Sequence, residues 1–236
     1  MPCVICGSAD TVRSHIIPRS LFRMSLRPGR PVVGSRRSGS GYQYLQSGFW
    51  DNDILCATHE SQLGLQDDYA ARFCRKFLAA SADGSFSATI PNPQPSMLVS
   101  FAAACVWRMA VSRSRGRPEV MLGPYAKRLS AMLFENQFYD PMLLVSRSAF
   151  VRAKEELRMG VLPHRYFESG IRFWRFVTCG LIFDLKLDNR TTPPAMATLA
   201  VNDAAEVLLH LDFPQDVRGS PDLAASLLRM GVEKKR

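Results

Sequence analysis

The chain has no apolar run long enough to cross a bilayer. Its densest stretch, "MLVSFAAACVW" at Met97–Trp107, is about half of the roughly 20 residues a spanning helix needs. The N-terminus lacks a charged leader followed by an apolar segment, which speaks against a signal peptide and for a cytoplasmic protein with no membrane partner. No internal repeat is visible. Six cysteines, in a reducing compartment, are too few and too scattered for a disulfide framework and suit metal binding plus buried thiols. Acidic residues are nearly missing at the start. Residues 1–50 hold seven arginines against Asp10 alone, a balance of +6, whereas residues 51–95 hold three basic and six acidic side chains, a balance of −3. A basic segment beside an acidic one suits a site that attracts a polyanion and also holds a cation; the plainer reading is a solvated arginine-rich loop.

What is present is a soluble-protein composition, 47% hydrophobic and 22% charged over 236 residues with a net charge of +9. Residues 25–49 are rich in Gly, Ser, Pro and Arg, and "VV" and "YQYL" within them read as strands of a hairpin. Leu65, Tyr69, Phe73 and Phe77 recur at helical spacing, which predicts a helix over residues 58–81. Residues 82–95, with three prolines from 91 to 95, read as a linker. Beyond it, helices are expected at 96–112, 124–135 and 147–158, strands over 171–187, and short helices at 202–211 and 220–230.

Cys3 and Cys6 form a C-x2-C pair, and "CATHE" supplies Cys56 and His59 as C-x2-H. A two-residue gap lets one tight turn present two of the four ligands that a tetrahedral zinc ion takes. The second pair falls where the helix should begin, so the order is knuckle, hairpin, then knuckle at a helix start, the layout of a treble clef. Otherwise these are terminal thiols and a surface histidine. Cys74, Cys105 and Cys179 sit in apolar surroundings and read as buried thiols.

With "SHIIP" giving His15 and Pro18, and "WDNDILC" leading to the second knuckle, residues 3–63 resemble the HNH (ββα-metal, His-Me finger) endonucleases of the zinc-bearing kind. The resemblance implies that His15 is the general base that activates water, that Asp51 or its neighbour Asn52 orients the imidazole, and that Glu60 binds a catalytic Mg²⁺ or Mn²⁺ ion. It implies metal-dependent cleavage of DNA, with Zn²⁺ at Cys3, Cys6, Cys56 and His59 in a structural role. Two departures stand out. Ser14 occupies a position where many members carry an acidic metal ligand, and the signature triad reads His15–Asp51–Glu60.

Arg13, Arg19, Arg23, Arg36 and Arg37 surround this segment and can contact phosphates; Arg30, Arg108, Arg113, Arg115 and Arg117 can extend that surface. Trp107 and Trp174 suit the core better than base stacking. His164 reads as a loop residue and His210 as a helix end, neither of them a ligand. The fold expected is α+β: a zinc-bound treble clef of the ββα-metal type over residues 1–81, a linker over 82–95, and a mainly helical domain with a small β-sheet over 96–236. The rival function is a non-catalytic zinc module that binds nucleic acid or a protein partner, as a regulator or a phage-defence accessory. Oligomeric state is not readable.

Overall fold

The computed structural model describes residues 2–25, 32–35, 42–45, 48–80, 88–113, 121–148, 160–209 and 211–212. In chain order the N-terminal elements are β1 (Thr11–His15), α1 (Arg19–Ser25), β2 (Val32–Ser35), β3 (Tyr42–Leu45), β4 (Trp50–Cys56), α2 (Ala57–Gln62) and α3 (Gly64–Ala80). Then come β5 (Ala88–Pro91), α4 (Pro95–Val111), α5 (Tyr125–Phe134), β6 (Leu143–Ser148), β7 (Gly160–Glu168), β8 (Ile171–Thr178) and β9 (Leu181–Lys186). The last are α6 (Pro194–Ala197), β10 (Glu206–Leu209) and β11 (Leu211–Asp212). The chain is mixed α and β, as its patterning requires.

The long helix expected over 58–81 is two helices, α2 and α3, with Leu63 between them at the C-cap of α2. Leu63 is fully buried, in phase with Gln66, Ala70, Phe73 and Phe77 of α3. The expected hairpin is there: β2 and β3 pair antiparallel, and β2 also runs parallel to β7 at Gly34↔Gly160 and Ser35↔Val161.

The sheet is larger than expected, and among the described residues beyond 95 strands outnumber helices. Among the described residues one sheet has seven strands in the order β11-β6-β9-β8-β7-β2-β3. β8 and β9 are buried on both faces, one apolar and the other mixing apolar side chains with the Arg175–Asp184 ion pair. Phe176 and Phe183 stack at 4.9 Å on one face and meet Phe101 of α4 edge-on at 5.8 and 5.4 Å. The other face carries Ile171 and Phe173 with Tyr166 of β7. Burying a Phe of this kind is worth about 2 kcal/mol, enough to override any local helical preference.

Two tight turns set the register of β7, β8 and β9. Ser169–Gly170 and Cys179–Gly180 have positive φ at both positions, between the paired residues Glu168↔Ile171 and Thr178↔Leu181. That is the twist a two-residue hairpin loop demands. Cys179 therefore sits in a turn, where a strand was expected. His164 lies within β7 rather than in a loop. Where a helix was expected at 202–211, Glu206–Leu209 form β10 and Leu211 opens β11, and β10 pairs with β5, so the 82–95 stretch contains a strand. Arg147 and Ser148 belong to β6; the rest of the helix expected at 147–158, the one at 220–230, and His210 lie outside the described residues.

α4 is apolar nearly all round, and it runs through the interior between α3, α5 and the sheet. Trp107 on α4 and Trp174 on β8 are each 2% exposed, in the core as expected. Among the described residues the larger apolar cluster runs from Cys3 to Val207 and draws on both sides of residues 82–95, with Tyr166, Ile171 and Phe173 forming a smaller one. Among the described residues no helix is long and apolar enough to cross a membrane.

Candidate functional site

The first knuckle is a tight turn. The Cys3 N–H donates to Ser8 O at 2.7 Å and the Gly7 N–H donates to Cys3 O at 2.8 Å. Gly7 has φ +73, a conformation that a side chain would strain. The Val4 N–H donates to Ile54 O at 2.9 Å and fastens the knuckle to β4. At the other end of β4, Cys56 is the N-cap of α2 and His59 stands in that helix's first turn. A spacing of three residues there brings both side chains to one side.

The four ligand atoms of Cys3, Cys6, Cys56 and His59 lie within 4.8 Å of one another and can hold a metal ion. Cys6 Sγ is 3.9 Å from Cys56 Sγ, and His59 Nδ1 is 3.2 Å from Cys56 Sγ and 3.6 Å from Cys3 Sγ. A disulfide needs about 2.05 Å, so these sulfurs are free. Metal bonds of about 2.3 Å to sulfur and 2.0 Å to nitrogen, set tetrahedrally, give edges of about 3.8 and 3.5 Å, close to those found. Burial disfavours the Cys3 thiolate, yet the N–H groups of Cys6, Cys56 and Ile5 outweigh it and bring the thiol down to about 6. The His59 ring meets Phe134 of α5 edge-on at 5.7 Å, and Phe134 meets Trp107 at 5.1 Å, so the cluster leans on the core.

β1 and β4 form a two-stranded antiparallel ribbon with Ser14↔Asp51 and His15↔Trp50 as cross-strand partners. The pleat sorts the expected site residues onto two faces. Ser14 and Asp51 are buried on the inner face, at 0% and 1% exposure; Arg13, Trp50 and Asn52 are exposed on the outer one. His15 ends β1 on the Trp50 side, half-buried, with Nε2 shielded from solvent. Asn52 thus shares the His15 face, and Asp51 the Ser14 face.

The inner face is closed by charge. Ser14 Oγ donates to Glu60 Oε2, and Arg108 Nη2 donates to Glu60 Oε1 at 3.2 Å. Arg108 also grips Asp67, with Nη2 at 2.9 Å from Oδ2 and Nη1 at 3.4 Å from Oδ1. Burial works against this guanidinium, but Asp67 and Glu60 more than offset it and keep it firmly charged. Both oxygens of Glu60 therefore already have donors, one of them a cation. Asp51 accepts the Asp53 N–H at 2.8 Å, the Ser112 hydroxyl at 2.7 Å and the Arg113 N–H at 2.9 Å, which ties β4 to the end of α4.

Arg108, expected on a phosphate-contacting surface, is 1% exposed and structural. Arg13, Arg19 and Arg23 are exposed. Arg30, Arg36, Arg37, Arg115 and Arg117 lie outside the described residues. Cys74, Cys105 and Cys179 are fully buried thiols, as expected. Two residues were not singled out in the sequence for the parts they take: Arg108 as the partner of Glu60, which no short-range pattern marks, and Trp50. The alternation in "WDNDILC" was the available signal for Trp50, since it puts Trp50 opposite in phase to the buried Asp51. No family model, curated protein or solved structure matches this chain, so its functional reading rests on these residues.

Proposed function

We propose that the chain is a zinc-stabilised nucleic-acid-binding module built on an HNH-type treble clef, and that it holds its ligand without cutting it. One observation carries the reading: the β1–β4 ribbon turns arginine and tryptophan outward, while Glu60 of α2 and Asp67 of α3, behind it, close on Arg108. Three sulfurs and a nitrogen at tetrahedral spacing suit Zn²⁺, which would pin the N-terminal turn to the start of α2. The same donors would not suit Mg²⁺, which takes oxygen ligands. Glu60, the carboxylate that the HNH resemblance assigns to Mg²⁺ or Mn²⁺, faces an internal guanidinium instead. Two cations competing for one carboxylate is unfavourable, so the residues present do not fit a catalytic divalent ion. Arg13, Arg19 and Arg23 supply the positive outer surface for phosphates.

A second reading, metal-dependent cleavage of DNA, is favoured by the Ser14–Glu60 hydrogen bond. It joins the residue before His15 to the helix after β4, where the resemblance puts base and metal. In that reading His15 is the base, and Asn52, on its own face, is better placed to orient it than Asp51. Glu60 must first leave Arg108.

One assay separates the two. Zinc-loaded protein is incubated with supercoiled plasmid and Mg²⁺ or Mn²⁺ beside a His15→Ala variant, while retention of the plasmid is followed by gel shift. The binding reading expects a salt-sensitive shift and no nicking above the variant. Nicking that disappears in His15→Ala establishes the second reading, and no shift at low salt removes both.

A further inference from the structure

The three tryptophans divide sharply. Trp107 and Trp174 are core residues, whereas Trp50 is 38% exposed at the mouth of the β1–β4 ribbon. Arg13 lies over it, its guanidinium carbon 4.3 Å from the ring centroid. Across the ribbon Trp50 is paired with His15, and Asn52, two residues along on the same face, is exposed as well. The inner face of this ribbon is sealed by Asp51 and Ser14, and the outer one carries Arg13, Trp50 and Asn52 exposed. An exposed indole capped by an exposed guanidinium is a flat, cationic, π-rich surface.

Such a surface recognises one kind of partner well. In a duplex the bases offer only their edges, in the grooves, and their faces are hidden in the stack. An indole or a planar guanidinium offers a face, and the matching face is exposed only on an unpaired base. Arg19 and Arg23, both exposed and one helical turn apart on α1, begin at most about 15 Å of chain beyond His15. They add positive charge within that reach of His15, where a single strand's phosphates can meet it. We infer that Arg13 and Trp50 form a stacking platform for an unpaired nucleobase, and that the chain selects single-stranded over double-stranded nucleic acid. This rests on the nucleic-acid reading above, but not on whether His15 cuts.

The test uses full-length, zinc-loaded protein and two labelled probes of one sequence: a single strand of about 12 nucleotides and its blunt duplex. Anisotropy titrations at fixed ionic strength are run beside the protein's own tryptophan emission. The single strand is expected to bind about tenfold more tightly, and to quench emission, because Trp50 is the exposed indole. Trp50→Ala should cost the single strand about tenfold and leave the duplex within about twofold, while Trp50→Phe keeps most of the preference. Should Trp50→Ala fail to fold, quenching of the wild-type protein and the Trp50→Phe titration decide. Equal affinity for both probes, duplex preference, or an equal loss on both in Trp50→Ala overturns the platform and leaves nucleic-acid binding standing. Binding of neither probe overturns both.

Discussion

Arg108 holds Asp67 at two points, Nη2 to Oδ2 at 2.9 Å and Nη1 to Oδ1 at 3.4 Å, and so locks α4 to α3 beneath the metal cluster. With Arg108 1% and Asp67 15% exposed, little water screens the pair. Removing the guanidinium leaves two carboxylates facing each other with no counter-charge. Arg108→Ala should cost about 3–5 kcal/mol, read as a lower urea midpoint. A loss of under about 1 kcal/mol, the range of an exposed pair, would remove the lock.

The sulfurs of Cys3, Cys6 and Cys56 would bind a metal ion as thiolates. In the metal-free protein the backbone N–H groups that lower Cys3 to about 6 make a contribution to stability with a definite pH range. It is complete above the ordinary thiol value of 9, shrinks as pH falls, and is gone below about 6. A bound ion moves that range lower still. Acidification from pH 7 to 5 should therefore release zinc, followed with a colorimetric chelator, and Cys6→Ser should release it at a higher pH than the wild type. Stoichiometric zinc retained at pH 5 with Cys6→Ser unchanged would mean that these sulfurs are not the ligands.

Asp51 is fully engaged by three donors. Asp51→Asn puts an amide N–H₂ against groups that also donate, and should cost about 1–3 kcal/mol of stability. The same change made to a residue that only oriented His15 would abolish nicking and leave the melting temperature alone. Paired melting and plasmid assays tell these apart.

Arg19→Ala and Arg23→Ala should each weaken nucleic-acid binding about equally for all sequences and lower the slope of log K against log salt by about 1. Titrations at four salt concentrations measure this. Unchanged slopes would place these arginines outside the interface.

Local spacing made the metal ligands legible, because C-x2-C and C-x2-H are each a single turn of chain. It also made α4 and the β8–β9 hairpin legible, since the apolar patterns of Met97–Trp107 and Ile171–Leu187 are strong. It missed the interruption at Leu63, between α2 and α3, within a helix that the spacing of Leu65, Tyr69, Phe73 and Phe77 had run straight through. Leu65 is 73% exposed, so it was never part of the buried stripe. The Arg108–Glu60 contact joins residues 48 apart. No window of sequence contains it, and it decides what Glu60 can bind. The size of the sheet was missed for a similar reason, since β2 and β3 join it from far upstream and β11 is too short to show a period.

Cys179 Sγ donates to the main-chain carbonyl of Leu21 at 3.3 Å, across 158 residues of chain. Leu21 belongs to α1, one of the first segments to leave the ribosome, and its partner is synthesised much later. Through most of translation α1 can rest against α3 but lacks the second hairpin that covers it in the finished fold. The packing of this early helix is therefore completed only when the β8–β9 turn has emerged.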